Sequence, residues 1–262
     1  MEKISSLRLE SVDFSYDSKQ LVLKNLSFQL FPGQTLGVIG PNGGGKSTLT
    51  KILTGELIAS QGRYFIGDQS ITASSNFPFQ LVSYLPQSFH VQNLLPVTVE
   101  EFIRFAGKNI ADSIVQETLK KVDLWERRGY KLSQLSGGQL QKAVLAHALA
   151  KSPKILILDE PRSALDSTGQ DQFLTLIKEL KSSQDMAMVI VEHHIPSLTE
   201  LCDQILCLNK THHWHDTSEL FDSKVMESIY HCELEHGQIH ERFGPGEGHQ
   251  QCTQSDEGHD HD

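Results

Sequence analysis

Two short segments of this chain hold residue types whose spacing suits phosphate chemistry. The first is "GPNGGGKS", Gly40 to Ser47, which fits the pattern G-x-x-x-x-G-K-[ST]. Gly40, Gly43, Gly44 and Gly45, with Pro41 and Asn42 among them, let backbone N–H groups wrap a polyphosphate. Lys46 is expected to reach the β- and γ-phosphates of ATP. The Ser47 hydroxyl is expected to ligate Mg²⁺, and Thr48 completes this nucleotide-binding set. The second segment is "ILILDEP", residues 155–161. An apolar strand would deliver Asp159 and Glu160 to the edge where open α/β sheets bind ligands. Asp159 is expected to hold Mg²⁺ and Glu160 to polarise an attacking water as general base.

A third segment, "LSGGQLQKA" (135–143), places Ser136, Gly137, Gly138 and Gln139 at the start of a helix. A helix N-terminus with unpaired N–H groups is an anion site. This one has no lysine, and the first loop already encloses a nucleotide. Two copies facing head to tail would each cap the γ-phosphate held by the other's Gly40–Ser47 loop. Symmetry therefore accounts for the second anion site.

The elements that must position these residues follow from the apolar pattern. "LRLESVDFSY" alternates as a strand, "LVLKNLSFQLFPG" is a strand closed by a Pro-Gly turn, and "TLGVIG" and "KILILDE" are buried apolar strands. "KSTLTKILTG" has helical spacing and ends at Gly55, a C-cap residue. A mainly helical stretch (97–128), the helix "QLQKAVLAHALA", a helix over 167–182, the strand "AMVIVEH", a helix over 195–202 and the strand "QILCLN" complete the core. Alternating strands and helices imply a mainly parallel sheet.

Composition narrows the class. Of 262 residues, 38% are hydrophobic, and no apolar run is long enough to span a bilayer. No signal-peptide pattern opens the chain, and a cytosolic location is expected. Cys202 and Cys207 read as reduced core residues rather than as part of a disulfide framework. A net charge of −10 argues against a nucleic-acid footprint.

Residues 7–209 resemble an ABC-transporter ATPase subunit. The resemblance is carried by "GPNGGGKST", Gln87 in "YLPQ", "LSGGQ", "ILILDEP", "SALD" (163–166) and His193 in "VEHH", in the family's order and spacing. It implies an α/β fold: a P-loop NTPase (RecA-like) core with an antiparallel β subdomain and an inserted α-helical subdomain. Residues 1–87 and 140–210 would form the nucleotide-binding core with the N-terminal β subdomain. Residues 88–139 would form the helical subdomain ending in the signature motif. Residues 211–262 would form a His-rich extension, disordered after 243. The resemblance further implies that Tyr16 stacks on adenine and that Gln87 touches Mg²⁺ or the attacking water and senses the membrane partner. Asp166 would communicate across the dimer, and His193 would contact the γ-phosphate. Glu160, His193, Gln87 and Lys46 are thus the expected catalytic set. The partners implied are a second copy in the ATP state and a transmembrane permease at the cytoplasmic face of the plasma membrane. An extracytoplasmic metal-binding protein would act indirectly.

Three positions depart from the family. Arg162 stands where Thr or Asn is usual, Glu192 replaces Ser or Thr before the switch histidine, and His194 replaces the Asp after it. Glu192 beside His193 is expected to raise the imidazole's proton affinity.

Two features bear on cargo. "LLPVTVEEFI" and "QILCLNKTHHWHD" resemble segments of zinc and manganese importer ATPases. Imidazole and thiolate suit Zn²⁺, so zinc import is expected ahead of manganese. The alternatives are an importer for iron chelates or cobalamin, and a soluble ABC ATPase of the iron–sulfur assembly type. The permease is expected to dock near residues 88–105, where Phe89, Leu94, Leu95 and Pro96 are apolar; the alternative is that these four belong to the core of the helical subdomain. Nine of the 13 histidines follow residue 211. Cys232, His236 and His240 share an i, i+4, i+8 spacing, weakened as a helix by Gly237. His249, Cys252, His259 and His261 lie in a tail that cannot preorganise a closed four-ligand site and are expected to act as a weak zinc buffer.

Overall fold

The computed structural model describes residues 6–17, 20–87, 89, 96–163, 165–182, 186–193, 195–209 and 211–216. Two strands open the chain, β1 (Leu7–Phe14) and β2 (Leu23–Leu30). They are followed by β3 (Thr35–Ile39), helix α1 (Lys46–Leu53), β4 (Gln61–Ile66), β5 (Gln69–Ser70) and β6 (Val82–Leu85). Helices α2 (Val99–Arg104), α3 (Asp112–Lys121) and α4 (Gly137–Ala150) lead into β7 (Ile155–Asp159). Then come α5 (Ser167–Ser182), β8 (Ala187–Val191), α6 (Ile195–Leu201), β9 (Gln204–Asn209) and β10 (Thr211–Asp216).

Among the described residues the strands form two sheets. One runs β2-β1-β4-β5 and the other β10-β9-β3-β8-β7-β6. The first is antiparallel, and β1 and β2 alternate buried and more exposed positions, as a sheet with one covered face must. In the second, β3, β6, β7, β8 and β9 pair in parallel. Strands β3 and β8 are buried along their whole length, since parallel sheets are covered on both faces.

Period-two alternation divides that sheet between two apolar cores. Leu156, Leu158, Met188 and Ile190 face the core shared with α2, α3 and α4. Ile155, Ile157, Val189 and Val191 face the core shared with the antiparallel sheet. Small residues let α4 lie close in: Ala143, Ala146, Ala148 and Ala150 are buried with Leu145. Truncating Leu158, fully buried, to Ala is expected to cost about 2–5 kcal/mol.

One boundary differs from the sequence reading. The main sheet runs past the boundary drawn at residue 210, because β10 pairs antiparallel with β9 and sets Trp214 5.9 Å from Phe28 of β2. In the helical stretch, Val99 and Ile103 are buried, but Phe105 is 66% exposed. Cys202 and Cys207 are buried and not joined in a disulfide. Among the described residues, no helix is long and apolar enough to cross a membrane.

Candidate nucleotide site

Strand order makes the site. Strands β3, β8, β7 and β6 are neighbours running the same way. Their C-terminal ends deliver the Gly40–Lys46 loop, Glu192 and His193, Asp159 and Glu160, and Gln87, in that spatial order. Four loops far apart in the chain thereby meet on one edge.

Within the phosphate loop, Lys46 is buried, and its Nζ donates to the carbonyls of Gly40 (2.6 Å) and Pro41 (3.1 Å). Gly40 has φ 144°, and a methyl group at either Gly40 or Gly44 would overlap the carbonyl oxygen of Leu208. The loop therefore lies directly on the end of β9. Gly43 has φ 81° with open space where a Cβ would project, the clearance a phosphate needs to approach the backbone. Gly45 caps α1 in the left-handed region. Ser47 and Asn42 are exposed, while Pro41 and Thr48 are buried. Tyr16 is 62% exposed, bonds Thr48 Oγ1 through its hydroxyl at 3.2 Å and meets Phe14 edge-on at 4.9 Å. An exposed ring thus stands beside the loop.

Glu160 takes a left-handed backbone conformation (φ 44°) that costs of order 1–3 kcal/mol. Its amide donates to Val191 O at 2.8 Å and its carbonyl accepts from Ser163 N at 3.1 Å. Its carboxylate is held at both oxygens. His193 Nε2 is 2.7 Å from Oε1, and Gln87 Nε2 donates to Oε2. Ser163 Oγ bridges the carbonyls of Glu160 (3.0 Å) and Gln87 (3.4 Å).

Asp159 accepts a hydrogen bond from Tyr84 Oη at 3.1 Å. Burial pushes the Asp159 carboxyl above its ordinary range, with Tyr84 opposing and the Glu160 charge adding to the shift. Burial, and then the charge of Asp159, push the Tyr84 hydroxyl up as well, so it stays protonated and donates. The Ser47 hydroxyl, the Asp159 carboxylate and the Gln87 amide oxygen are hard oxygen donors of the kind Mg²⁺ prefers, and could hold it. Gln87 spends its amide nitrogen on Glu160, which leaves the oxygen for that role.

Glu192 makes its contacts with Arg162 and with the His193 backbone. One Glu192 oxygen accepts from Arg162 Nε at 2.8 Å and the other from the His193 backbone N–H at 3.2 Å. The imidazole meets Glu160 instead. Two separate departures from the family pattern are thus one ion pair.

The signature segment opens α4. Ser136 Oγ accepts from Gln139 N, and Gln139 Oε1 accepts from Ser136 N, a reciprocal capping box. Ser136 and Gly137 are exposed. The amides of Gly137 and Gly138, in the first turn, have no intrahelical acceptor. Asp166 Oδ1 accepts from Gly169 N at 2.8 Å and so caps α5 inside the subunit, while remaining exposed.

Sequence reasoning missed Tyr84, Ser163 and Gln141, whose side chain donates to Pro161 O at 3.1 Å. A tyrosine three residues before Gln87, at the end of an apolar strand, was the available signal for the first. Phe89 is exposed, with its ring 5.7 Å from that of Phe102, and Pro96 is exposed too. Leu94, Leu95 and His194 lie outside the described residues, as do Cys232, His236, His240, His249, Cys252, His259 and His261.

Comparison with known proteins identifies the family. A family model described as "ABC transporter" matches residues 23–163. A "Probable metal transport system ATP-binding protein" of Thermotoga maritima is 32% identical over 231 residues, which is 82% of this chain and 91% of that protein. The zinc import ATP-binding protein ZnuC of Buchnera aphidicola subsp. Acyrthosiphon pisum is 36% identical over 194 residues, 73% of this chain and 76% of its own. The ADP conformation of an ATP-binding cassette of an ABC transporter superposes with a TM-score of 0.73 at 25% identity, covering 87% of this chain and 98% of that one. On this match and these relatives, the chain belongs to the ABC transporter family as one of its ATP-binding, ATP-hydrolysing subunits.

Proposed function

We propose that this chain is the ATP-hydrolysing subunit of an importer for divalent metal ions, with zinc ahead of manganese as cargo. It would work as a homodimer in the ATP state on the cytoplasmic face of the membrane, coupled to a separate permease and, through it, to an extracytoplasmic metal-binding protein. The observation that carries the hydrolytic part is the Glu160 carboxylate between Gln87 and His193, one residue from Asp159. The cargo is supported by relatives named for zinc import and metal transport and by histidines clustered after residue 211.

Tyr16 would stack on adenine while the Gly40–Thr48 segment takes the phosphates and Lys46 turns from the Gly40 and Pro41 carbonyls to the β- and γ-phosphates. Ser47, Asp159 and Gln87 would hold Mg²⁺, which supplies charge neutralisation on the phosphate oxygens. Glu160, released from one of its two contacts, accepts a proton from water as the water oxygen attacks the γ-phosphorus and the bond to ADP breaks. His193 then faces the γ-phosphate. In trans, Ser136, Gly137, Gly138 and Gln139 of the second copy cap the same phosphate, with Asp166 at that interface.

The test is reconstitution of the chain in proteoliposomes with a metal-importer permease. ATP hydrolysis is followed as the binding protein is supplied loaded with zinc, with manganese or with an iron chelate. Stimulation by zinc above manganese is expected. Stimulation by the chelate alone would reassign the cargo, and failure to associate with any permease would reassign the protein to the soluble class. The proposed zinc buffer at His249, Cys252, His259 and His261 is tested by truncation after Gly244. Zinc stoichiometry should fall while hydrolysis persists.

A further inference from the structure

The Arg162–Glu192 pair is among the most enclosed ion pairs of the described residues, with side chains only 12% and 10% exposed. Its place in the fold is specific. The β7–β8 ladder ends at Asp159 opposite Val191, and the Glu160 amide adds one more bond to Val191 O. Beyond that point the two chains diverge into the loops that carry Glu160 and His193. Arg162 and Glu192 close the gap with a side-chain contact where backbone pairing has stopped.

Both ends are anchored. The Arg162 carbonyl accepts from Leu165 N at 3.1 Å, and the Glu192 amide donates to Val38 O at 3.1 Å beside the phosphate loop. Glu192 also holds the His193 amide through its second oxygen. A closed ring results. It runs from Glu160 along the backbone to Arg162, across the ion pair to Glu192, along the backbone to His193, and back through the imidazole to the Glu160 carboxylate.

We infer that Arg162 and Glu192 are positioning residues for hydrolysis, acting as one unit that sets the separation of Glu160 and His193. The inference rests on the assignment of those two residues given above. Its physical basis is what each partner would do alone. A buried ion that loses its partner is costly and seeks the nearest opposite charge. For Arg162 that charge is the Glu160 carboxylate, two residues away in the same loop, and a guanidinium there would block proton uptake from water. For an unpaired Glu192 it is the His193 imidazole, where the carboxylate would compete with Glu160 and repel the incoming polyphosphate. Removing both charges leaves neither fault. A purely structural pair would behave differently: its loss would lower the melting temperature and leave the kinetics of the folded enzyme alone.

The experiment is steady-state Mg-ATP hydrolysis by the full-length chain, with melting temperature measured alongside. The variants are Arg162→Thr, Glu192→Ser, the double variant, Glu192→Gln and, as reference, Glu160→Gln. Glu192→Ser should lower kcat by about tenfold or more with KM little changed, because misplacing a reacting group costs rate rather than affinity. Arg162→Thr should raise KM for ATP by about tenfold as well as lowering kcat. The double variant should recover most of the kcat lost in either single. Single variants with kcat and KM within about twofold of the unaltered protein would overturn the inference. So would a folded double variant no better than the worse single. If the singles fail to fold, Glu192→Gln decides, since it keeps the shape and an acceptor for Arg162. A folded Glu192→Gln protein with unaltered kinetics rejects the unit, and a lowered kcat supports it. Full hydrolysis by Glu160→Gln would instead remove the underlying assignment, which separates the two failures.

Discussion

The imidazole Nε2 of His193 lies 2.7 Å from Oε1 of Glu160, and this contact joins the ends of two adjacent parallel strands, β8 and β7. With Gln87 on the other oxygen, the proposed base is held between two loops. Water can approach its lone pairs once one contact opens. Both carboxylate oxygens of Glu160 are thus engaged by side chains from neighbouring loops.

Glu160→Gln should retain ATP affinity and lose hydrolysis by about 10²–10⁴-fold, the usual contribution of a positioned base. The amide preserves the shape and keeps one acceptor oxygen but cannot take the proton. Single-turnover assays with radiolabelled ATP measure the rate, and gel filtration should find the variant as an ATP-loaded dimer. Turnover near that of the unaltered protein would exclude Glu160 as base.

Gly138→Asp should spare nucleotide binding by the isolated subunit and block dimer closure. A Cβ at residue 138 meets Leu165 at an ordinary 3.5 Å, so the fold has room for it. The added carboxylate would face the second copy's γ-phosphate across the interface. Titration with a fluorescent ATP analogue and sedimentation in ATP measure the two effects separately. Full hydrolytic activity would contradict the trans arrangement.

Gly44→Ala should damage the phosphate loop without touching a phosphate contact. The new methyl would overlap the Leu208 carbonyl at the end of β9, and backbone on both sides leaves no flexible atom to move. A stability loss of about 1–3 kcal/mol, in the range of an overpacked core, should accompany weaker ATP binding. Denaturant melts and binding isotherms check both. Unchanged stability would mean that the loop and β9 separate easily.

Lys46→Ala should weaken ATP binding by roughly 10–100-fold, the loss of a charge-assisted hydrogen bond of about 1.5–3 kcal/mol. Calorimetric titration measures it. Unchanged affinity would remove Lys46 from the phosphate site.

His147 supplies a pH test remote from the chemistry. Its ring stacks on Phe102 at 4.5 Å and bonds the Phe102 carbonyl through Nδ1 at 2.8 Å, tying α4 to α2. Burial lowers its pKa below 6.5, with the bond to Phe102 opposing. Between the folded value and 6.5 the unfolded chain binds the proton more readily, so stability falls as pH drops through that window and is fully present above it. The slope from this one group is at most ~1.4 kcal/mol per pH unit. Urea melts from pH 8 to 5.5 should be steeper in pH for the unaltered protein than for His147→Asn. Equal slopes would refute the assignment.

The sequence by itself determined the parts whose physics is local. The phosphate loop is legible because a glycine-rich turn, a lysine and a hydroxyl must be contiguous to wrap a polyphosphate. Asp159 and Glu160 are legible because an apolar strand must end where its first acids appear. The helix after Ser136 is legible because its capping residues are three apart. Only the tertiary structure decided which loops meet. The order β9-β3-β8-β7-β6 cannot be read from periodicity, since any apolar strand can pair with any other. That order sets Leu208 against Gly40 and Gly44, Tyr84 against Asp159, and Arg162 against Glu192, pairs far apart in the chain. In sequence, Arg162 and Glu192 are two isolated charges near a catalytic site. Burial on one sheet edge makes them partners, because an ion excluded from water must be neutralised by whatever the fold brings within reach.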